Sequence, residues 1–237
     1  MTTLAIDTSN ELLAVALAKD GVLLGETMTY VKQGQTARLM PAIVSLMEQV
    51  EVEVEDLEKI IVAQGPGSYT GVRVGITTAK TMAWGLNIPI YPVSSLTALA
   101  YNAAYFDGFI MPFFNARRQA VFTSLYKSEK GELVEMIAEK YIPLTAWIEE
   151  VKAVMAASST QGIIAVSPDI EQFKKTLQEA FSDRIWIPED SSGHLLRPAH
   201  LLCAAKKASA EPVHLVNPNY LRITEAEANL MKRQKSE

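Results

Sequence analysis

The chain has 237 residues, 49% of them apolar, and 22 Lys and Arg stand against 27 Asp and Glu for a net charge of −5. That length suits one large domain or two modest ones, and 12 Gly with 11 Pro exclude a collagenous or low-complexity chain. The acidic balance excludes a strongly basic protein that grips nucleic acid by itself, and the single cysteine, Cys203, excludes an internal disulfide, so packing must supply stability and a reducing compartment is expected.

Thr2 to Asp7 reads as a short buried strand ending in the polar turn Asp7-Thr8-Ser9-Asn10. No basic segment precedes it, as a signal peptide would require. The longest apolar stretch, Leu96 to Phe114, is interrupted by Asn102, Asp107 and Gly108. A membrane span is therefore not expected, and the chain reads as cytoplasmic. Leu12 to Ala18 is a second strand, Asp20-Gly21 a two-residue hairpin signal, and Val22 to Tyr30 the returning strand. Thr36 to Val50 has helical spacing, with Leu39, Ile43, Leu46, Met47 and Val50 in phase. Lys59 to Ala63 is a strand, and Gly65 to Gly71 is a loop opening a long helix, Ser68 to Gly85, with Ser68 as N-cap. Pro89 to Pro92 follows as a short strand and Ser94 to Tyr105 as a helix.

Around Asp107-Gly108 the pattern begins afresh. Phe109–Asn115, Gln119–Tyr126 and Glu132–Ile142 read as strands, with Lys130-Gly131 as a turn. Then come a helix from Pro143 to Met155, a strand from Gly162 to Val166, a helix from Asp169 to Phe181 and a strand from Arg184 to Ile187. A last helix, Pro198 to Ala208, precedes the segment Asn217 to Arg222, and the polar tail 224–237 reads as a frayed helix or disorder. Both halves place strands first and alternate helices after. This predicts an α/β protein of two similar lobes, 1–105 and 106–223, with the last helix packed back on the first lobe.

The most distinctive stretch is GPGSYTGVRVG, Gly65 to Gly75. A tight turn leading into a helix start offers free N–H groups to an anion, and it equally makes an ordinary strand-to-helix turn. It is not a Walker A loop, because no Lys-Ser/Thr pair follows the glycines. Gly71 and Gly75, continued by Thr78, Ala79 and Met82, form a stripe of small residues that another backbone can approach, from a partner or from the chain's own sheet. The helix at 36–50 carries two apolar faces, Leu39/Ile43/Leu46 and Met40/Val44/Met47. A helix buried on one side needs only one such face, so either a partner interface or a deep internal position follows. Asp7, Thr8 and Ser9 could position a metal–phosphate or simply hold their own turn together. His194, His200 and His214 form no HExxH pattern, Cys203 fits a core thiol, and no G-x-S-x-G nucleophile turn is present. Paired basic residues such as Arg117-Arg118 and Lys206-Lys207 are scattered as on a solvated surface.

Taken in order, LAIDTS (4–9), QTARLMPAI (35–43), GPGSYTGVRVG (65–75), PVSSLTALA (92–100), NARRQAVF (115–122) and PNYLR (218–222) resemble the TsaB (YeaZ) family over nearly the whole chain. The resemblance implies an actin/Hsp70/sugar-kinase (ASKHA) fold with mixed sheets flanked by helices. It implies a non-catalytic scaffold that pairs with TsaD, the paralogue that transfers threonylcarbamoyl to N6 of adenosine 37 in tRNAs reading ANN codons. It also implies recruitment of the ATPase TsaE, a homodimer where TsaD is absent, only indirect contact with tRNA, and neither cofactor nor metal. The implied interface uses the helices at 36–50 and 68–85, through Leu39, Met40, Ile43, Val44, Met47, Gly71, Val72, Gly75, Thr78, Ala79 and Met82. Where many relatives read D-A-R-x-x-E, this chain has Asn115 and Ala120, so two carboxylates that could serve a metal–nucleotide are missing. The alternative on the same fold is a nucleotide-dependent phosphotransferase built on Asp7, Thr8 and Ser9.

Overall fold

The computed structural model describes residues 1–222 apart from Gln33 and Gln161; the tail 224–237 lies outside the described residues. Strands β1 (Thr2–Asp7), β2 (Leu12–Lys19) and β3 (Val22–Tyr30) form an antiparallel meander. Asp20 and Gly21, at φ 51° and 81°, make its first hairpin, since both central residues of this turn need positive φ. Helix α1 (Gln35–Gln49) leads to β4 (Leu57–Ala63), parallel to β1, and α2 (Tyr69–Leu86) leads to β5 (Ile90–Val93), parallel to β4. The sheet order is β3-β2-β1-β4-β5. The central strand β1 is buried at every position, as a strand covered on both faces must be.

The second half repeats the first. After the short helix α3 (Ser95–Ala100) come β6 (Phe109–Asn115), β7 (Ala120–Glu129) and β8 (Glu132–Pro143) as a meander. Then α4 (Leu144–Ala156), β9 (Ile163–Val166), α5 (Ile170–Phe181) and β10 (Ile185–Trp186) complete a sheet ordered β10-β9-β6-β7-β8. Read from its other edge, this is the order of the first sheet. The helices expected at 94–105 and 198–208 are shorter: α3 stops at Ala100 and α6 (Pro198–Ala204) at Ala204, each continuing as one tighter 3₁₀ turn.

Helices α1 and α2 cover one face of the first sheet, packing Leu39, Ile43, Val72 and Ile76 on Leu4, Ile6, Val15 and Ile60. Helices α4 and α5 cover the matching face of the second, with Trp147, Val151, Phe173 and Leu177 on Phe109, Phe113 and Val121. Each such buried side chain contributes about 1.5–3 kcal/mol. Between the sheets, α3 turns Leu96 and Leu99 toward Ile110 and Phe114 and Ala98 toward Ala5 and Ile61, where Leu201 of α6 joins them. Glu26 on β3 anchors the start of α6 by accepting from the Arg197 guanidinium and from the Ala199 N–H. A carboxylate there also complements the partial positive charge of the helix N-terminus. The chain then returns along the first lobe as a strap. Glu211 pairs with Ile90, Lys80 Nζ donates to the carbonyls of His214 and Val216, and Asn219 N–H donates to the Gln64 carbonyl. The β-β-β-α-β-α-β topology thus occurs twice, in a mixed α/β fold of two five-stranded sheets flanked by helices.

Candidate functional site

The turn after β1 and the glycine-rich entry to α2 meet in direct contact. Thr8 Oγ1 donates to the Gly71 carbonyl at 2.7 Å, and the Ser68 N–H donates to the Ser9 carbonyl at 2.6 Å. A Cβ at Gly67 would lie 2.1 Å from the Ser9 carbonyl oxygen, one at Gly71 2.0 Å from the Thr8 carbonyl oxygen, and one at Gly75 2.5 Å from Thr8 Oγ1. The glycine stripe therefore faces inward and its groove is filled by Thr8 and Ser9. This corrects the placement of Gly71 and Gly75 on a partner surface: they are the reason α2 can seat against the end of β1. Val72 and Ala79 likewise point into the core.

Asp7, Thr8 and Ser9 are 2, 1 and 0% exposed, so the turn presents no open face to a nucleotide phosphate. Burial pushes the Asp7 carboxyl above its ordinary range, and the Ser9 N–H bonded to it at 2.7 Å pulls the other way. The first-turn amide of Gly71 is satisfied by Ser68 Oγ, which leaves this helix start capped from within. Thr8 and Ser9 hold the β1–α2 junction, and Asp7 holds their turn through the Ser9 N–H. At the corresponding turn of the second sheet, the Asn115 side chain accepts from the Arg117 N–H and donates to Gln172. Among the described residues no group of three His, Cys, Asp or Glu is placed to hold a metal ion, and no helix is long and apolar enough to cross a membrane.

Helix α1 divides its second apolar face: Leu39, Ile43 and Leu46 point into the core and Met47 joins them, while Met40 and Val44 are 42% and 47% exposed. Leu39, Ile43 and Met47 are thus core residues of this chain, because α1 lies across β2 and β3 and its inner side joins the first sheet's core. On α2, Thr78 and Met82 are half-buried, and Trp84 is 78% exposed. Trp84 was not among the expected site residues. Its signal was phase: it falls with the outward Arg73, Thr77 and Thr81 rather than with the Val72–Ile76–Ala79 stripe.

A second polar constellation lies in the seam between the sheets. Glu139 on β8 accepts from the Ser94 hydroxyl, which also caps α3, and from the Asn219 side chain at 3.2 Å. Burial pushes its carboxyl up to about 7, against the lowering effect of the Ser94 bond, and the nearby Glu135 adds to the rise. Tyr126 shares a 2.9 Å hydrogen bond with Thr97, and burial raises its phenol. Ser94, Thr97, Tyr126, Glu135 and Lys207 border a cavity of about 490 Å³ here. On the α6 side, burial, helped by the Arg197 charge, pushes His200 down to about 4.

The model of the family described as "TsaD: tRNA N6-adenosine threonylcarbamoyltransferase" matches residues 30–230. The tRNA threonylcarbamoyladenosine biosynthesis protein TsaB of Bacillus subtilis is 40% identical over 235 residues, covering 99% of this chain and 100% of that one. TsaB of Escherichia coli is 30% identical over 133 residues, 55% of this chain and 57% of its own length. Among solved structures, YeaZ from Pseudomonas aeruginosa superposes with a TM-score of 0.77 at 25% identity, covering 93% of this chain and 99% of that one. The full-length match, the paired sheets and the shared sequence blocks agree: this chain belongs to the TsaB (YeaZ) family of tRNA threonylcarbamoyladenosine biosynthesis proteins.

Proposed function

We propose that the chain is the non-catalytic docking subunit of a complex forming N6-threonylcarbamoyladenosine at position 37 of tRNAs reading ANN codons. In this reading it stabilises a TsaD-type catalytic partner and recruits a TsaE-type ATPase. The observation that carries the reading is the outer face of α1 and α2, where Met40, Val44 and Trp84 stand exposed. Exposed apolar and aromatic residues grouped on two neighbouring helices are the composition of an interface centre. Without the partner the same face would pair with a second copy, since a two-fold interface needs only one self-complementary surface. The lobes divide at residue 106, so the docking face belongs wholly to residues 1–105. The closed Asp7–Ser9 turn supports a supporting role over a phosphotransferase.

The test is reconstitution with the TsaD and TsaE proteins of the same source. Val44→Arg, exposed and therefore foldable, should abolish co-sedimentation with TsaD and reduce tRNA modification to the level without this chain. Modification that proceeds equally well in its absence, or threonylcarbamoyl transfer by this chain alone, would overturn the reading.

A further inference from the structure

The cavity in the seam between the sheets belongs neither to the docking face nor to the closed Asp7–Ser9 turn. Its walls come from the end of β5, the first turns of α3, the paired strands β7 and β8, and the 3₁₀ turn after α6. Hydroxyls line its inner part. Ser94 stands at the head of α3, and Thr97, one turn on, shares its 2.9 Å hydrogen bond with Tyr126. Tyr126 is only 3% exposed, so this hydroxyl pair is held away from bulk water. Pro92, Val93 and Leu133 supply apolar surface beside it. Among the lining residues only Glu135 and Lys207 are charged, and both are exposed, at the mouth.

These two opposite charges bracket a gap without closing on each other. Glu135 lies directly across the β7–β8 ladder from Tyr126, so both side chains rise from the same face of the sheet. Among the described residues the Glu135 carboxylate has neither hydrogen bond nor ion pair. The Lys207 ammonium donates to the Leu133 carbonyl at 3.0 Å and pairs with the exposed Glu132 at 3.3 Å. That leaves one of its three donors, and an exposed pair of this kind is readily exchanged for a ligand carboxylate. Leu133 stands two residues before Glu135, about 7 Å along the strand. A ligand bearing both charges on one small head fits that interval, with a charge-assisted hydrogen bond of about 2.8 Å on each side. A peptide end carries only one of the two charges, and an uncharged polyol neither. Behind the head, the Thr97–Tyr126 pair favours a neutral side chain that offers a hydroxyl of its own, because a purely apolar one leaves polar groups unmatched. The volume of about 490 Å³ admits such a molecule together with several waters.

We propose that the seam cavity binds a neutral, hydroxyl-bearing α-amino acid, its ammonium on Glu135, its carboxylate on Lys207 and its side-chain hydroxyl at the Thr97–Tyr126 pair. Threonine is the member of that class contained in a threonylcarbamoyl group, and the proposal rests on the functional reading above only for that choice. The chain then carries, besides a docking face, a site for the amino acid from which the modification is built.

The experiment is isothermal titration calorimetry of the purified full chain with L-threonine, L-valine, L-threoninamide and N-acetyl-L-threonine. Valine keeps the shape without the hydroxyl, the amide lacks the carboxylate, and the acetyl derivative lacks the ammonium. Expected is a dissociation constant of about 1 mM or tighter for threonine, with each of the other three weaker by at least about tenfold. Glu135→Gln and Lys207→Met should each weaken threonine at least about tenfold. Lys206→Met, which alters an exposed lysine outside the cavity lining, should bind as wild type. Thr97→Val should narrow the preference for threonine over valine. Melting curves establish that each variant is folded. No heat with threonine up to about 20 mM, valine or threoninamide binding as tightly as threonine, or Glu135→Gln and Lys207→Met binding as wild type would overturn the proposal. This titration and co-sedimentation with TsaD both use the unaltered chain, so their failures are separate. Docking without threonine binding would sink this proposal alone, and threonine binding without docking would sink the functional reading and leave the site standing.

Discussion

The two outer helix pairs cover equivalent faces of equivalent sheets, yet their solvent sides differ. On α4 and α5 that side carries Glu149–Lys152 at 3.2 Å, Glu171–Lys174 at 3.5 Å and Lys175–Glu179 at 3.9 Å, and no large apolar side chain of either helix is exposed. On α1 and α2 no ion pair is formed among the described residues, and Met40, Val44 and Trp84 are exposed instead. Such surface pairs are worth only about 0.3–0.5 kcal/mol each, so their importance is as a mark of a solvated face. Because the core packing of the two halves is alike, it cannot account for the contrast. What covers the helices can: water in the second half and, in our reading, protein in the first.

The contrast extends to how each second helix is seated, and the largest expected effect lies there. Helix α2 reaches the end of β1 only through glycine, whereas its counterpart α5 contains none. Gly71→Ala would place a methyl 2.0 Å from the Thr8 carbonyl oxygen, backbone that cannot swing aside. A loss of roughly 3 kcal/mol or more in urea unfolding is expected; a loss under about 1 kcal/mol would show that the two helices are seated alike.

Next in size are two pH effects at the seam where the halves meet. His200 is held near 4, below the 6.5 of an unfolded histidine. The unfolded chain therefore binds more protons between these values, and stability falls as pH drops through that window, by on the order of 3 kcal/mol in full. Glu139 has the opposite sign. Its carboxyl is raised from 4.5 to about 7, so the native state holds the extra proton and stability falls as pH rises across that interval. Glu139→Gln, which keeps an acceptor for Ser94, should remove the alkaline loss and exceed wild type by about 2 kcal/mol at pH 8, with little difference near pH 5. Chemical denaturation at both pH values checks this; a variant equally destabilised at both would assign Glu139 a purely structural bond.

The smallest effect concerns the outward face of α2 itself. A Cβ at Gly85 meets nothing within 4 Å, so Gly85→Ala should stabilise the chain by about 0.5–1 kcal/mol through helix propensity. A loss of stability would place an unseen constraint on the end of that helix.

Much of the fold was legible because its signals are local. Asp20-Gly21 and Lys130-Gly131 form their hairpins with positive φ at both residues, and Ser68 and Ser94 cap α2 and α3 through their hydroxyls. The direction of the glycine stripe was not legible. A groove of small residues fits a partner's backbone or the chain's own, and the choice was made by Thr8, 63 residues from the Gly71 it bonds. The two apolar faces of α1 could be seen, but not which one the sheet would take, so Leu39, Ile43 and Met47 were grouped with the exposed Met40 and Val44. Glu139 carried no signal at all, since its surroundings are built by Ser94 and Asn219, 45 and 80 residues away.

Hydrogen exchange of the free chain and of its complex with TsaD addresses the central contrast most directly. Slowed exchange confined to α1 and α2, with α4 and α5 unchanged, is the predicted result. Protection of α4 and α5, or no protection of α1 and α2 in a complex that has formed, would contradict the assignment of the docking face.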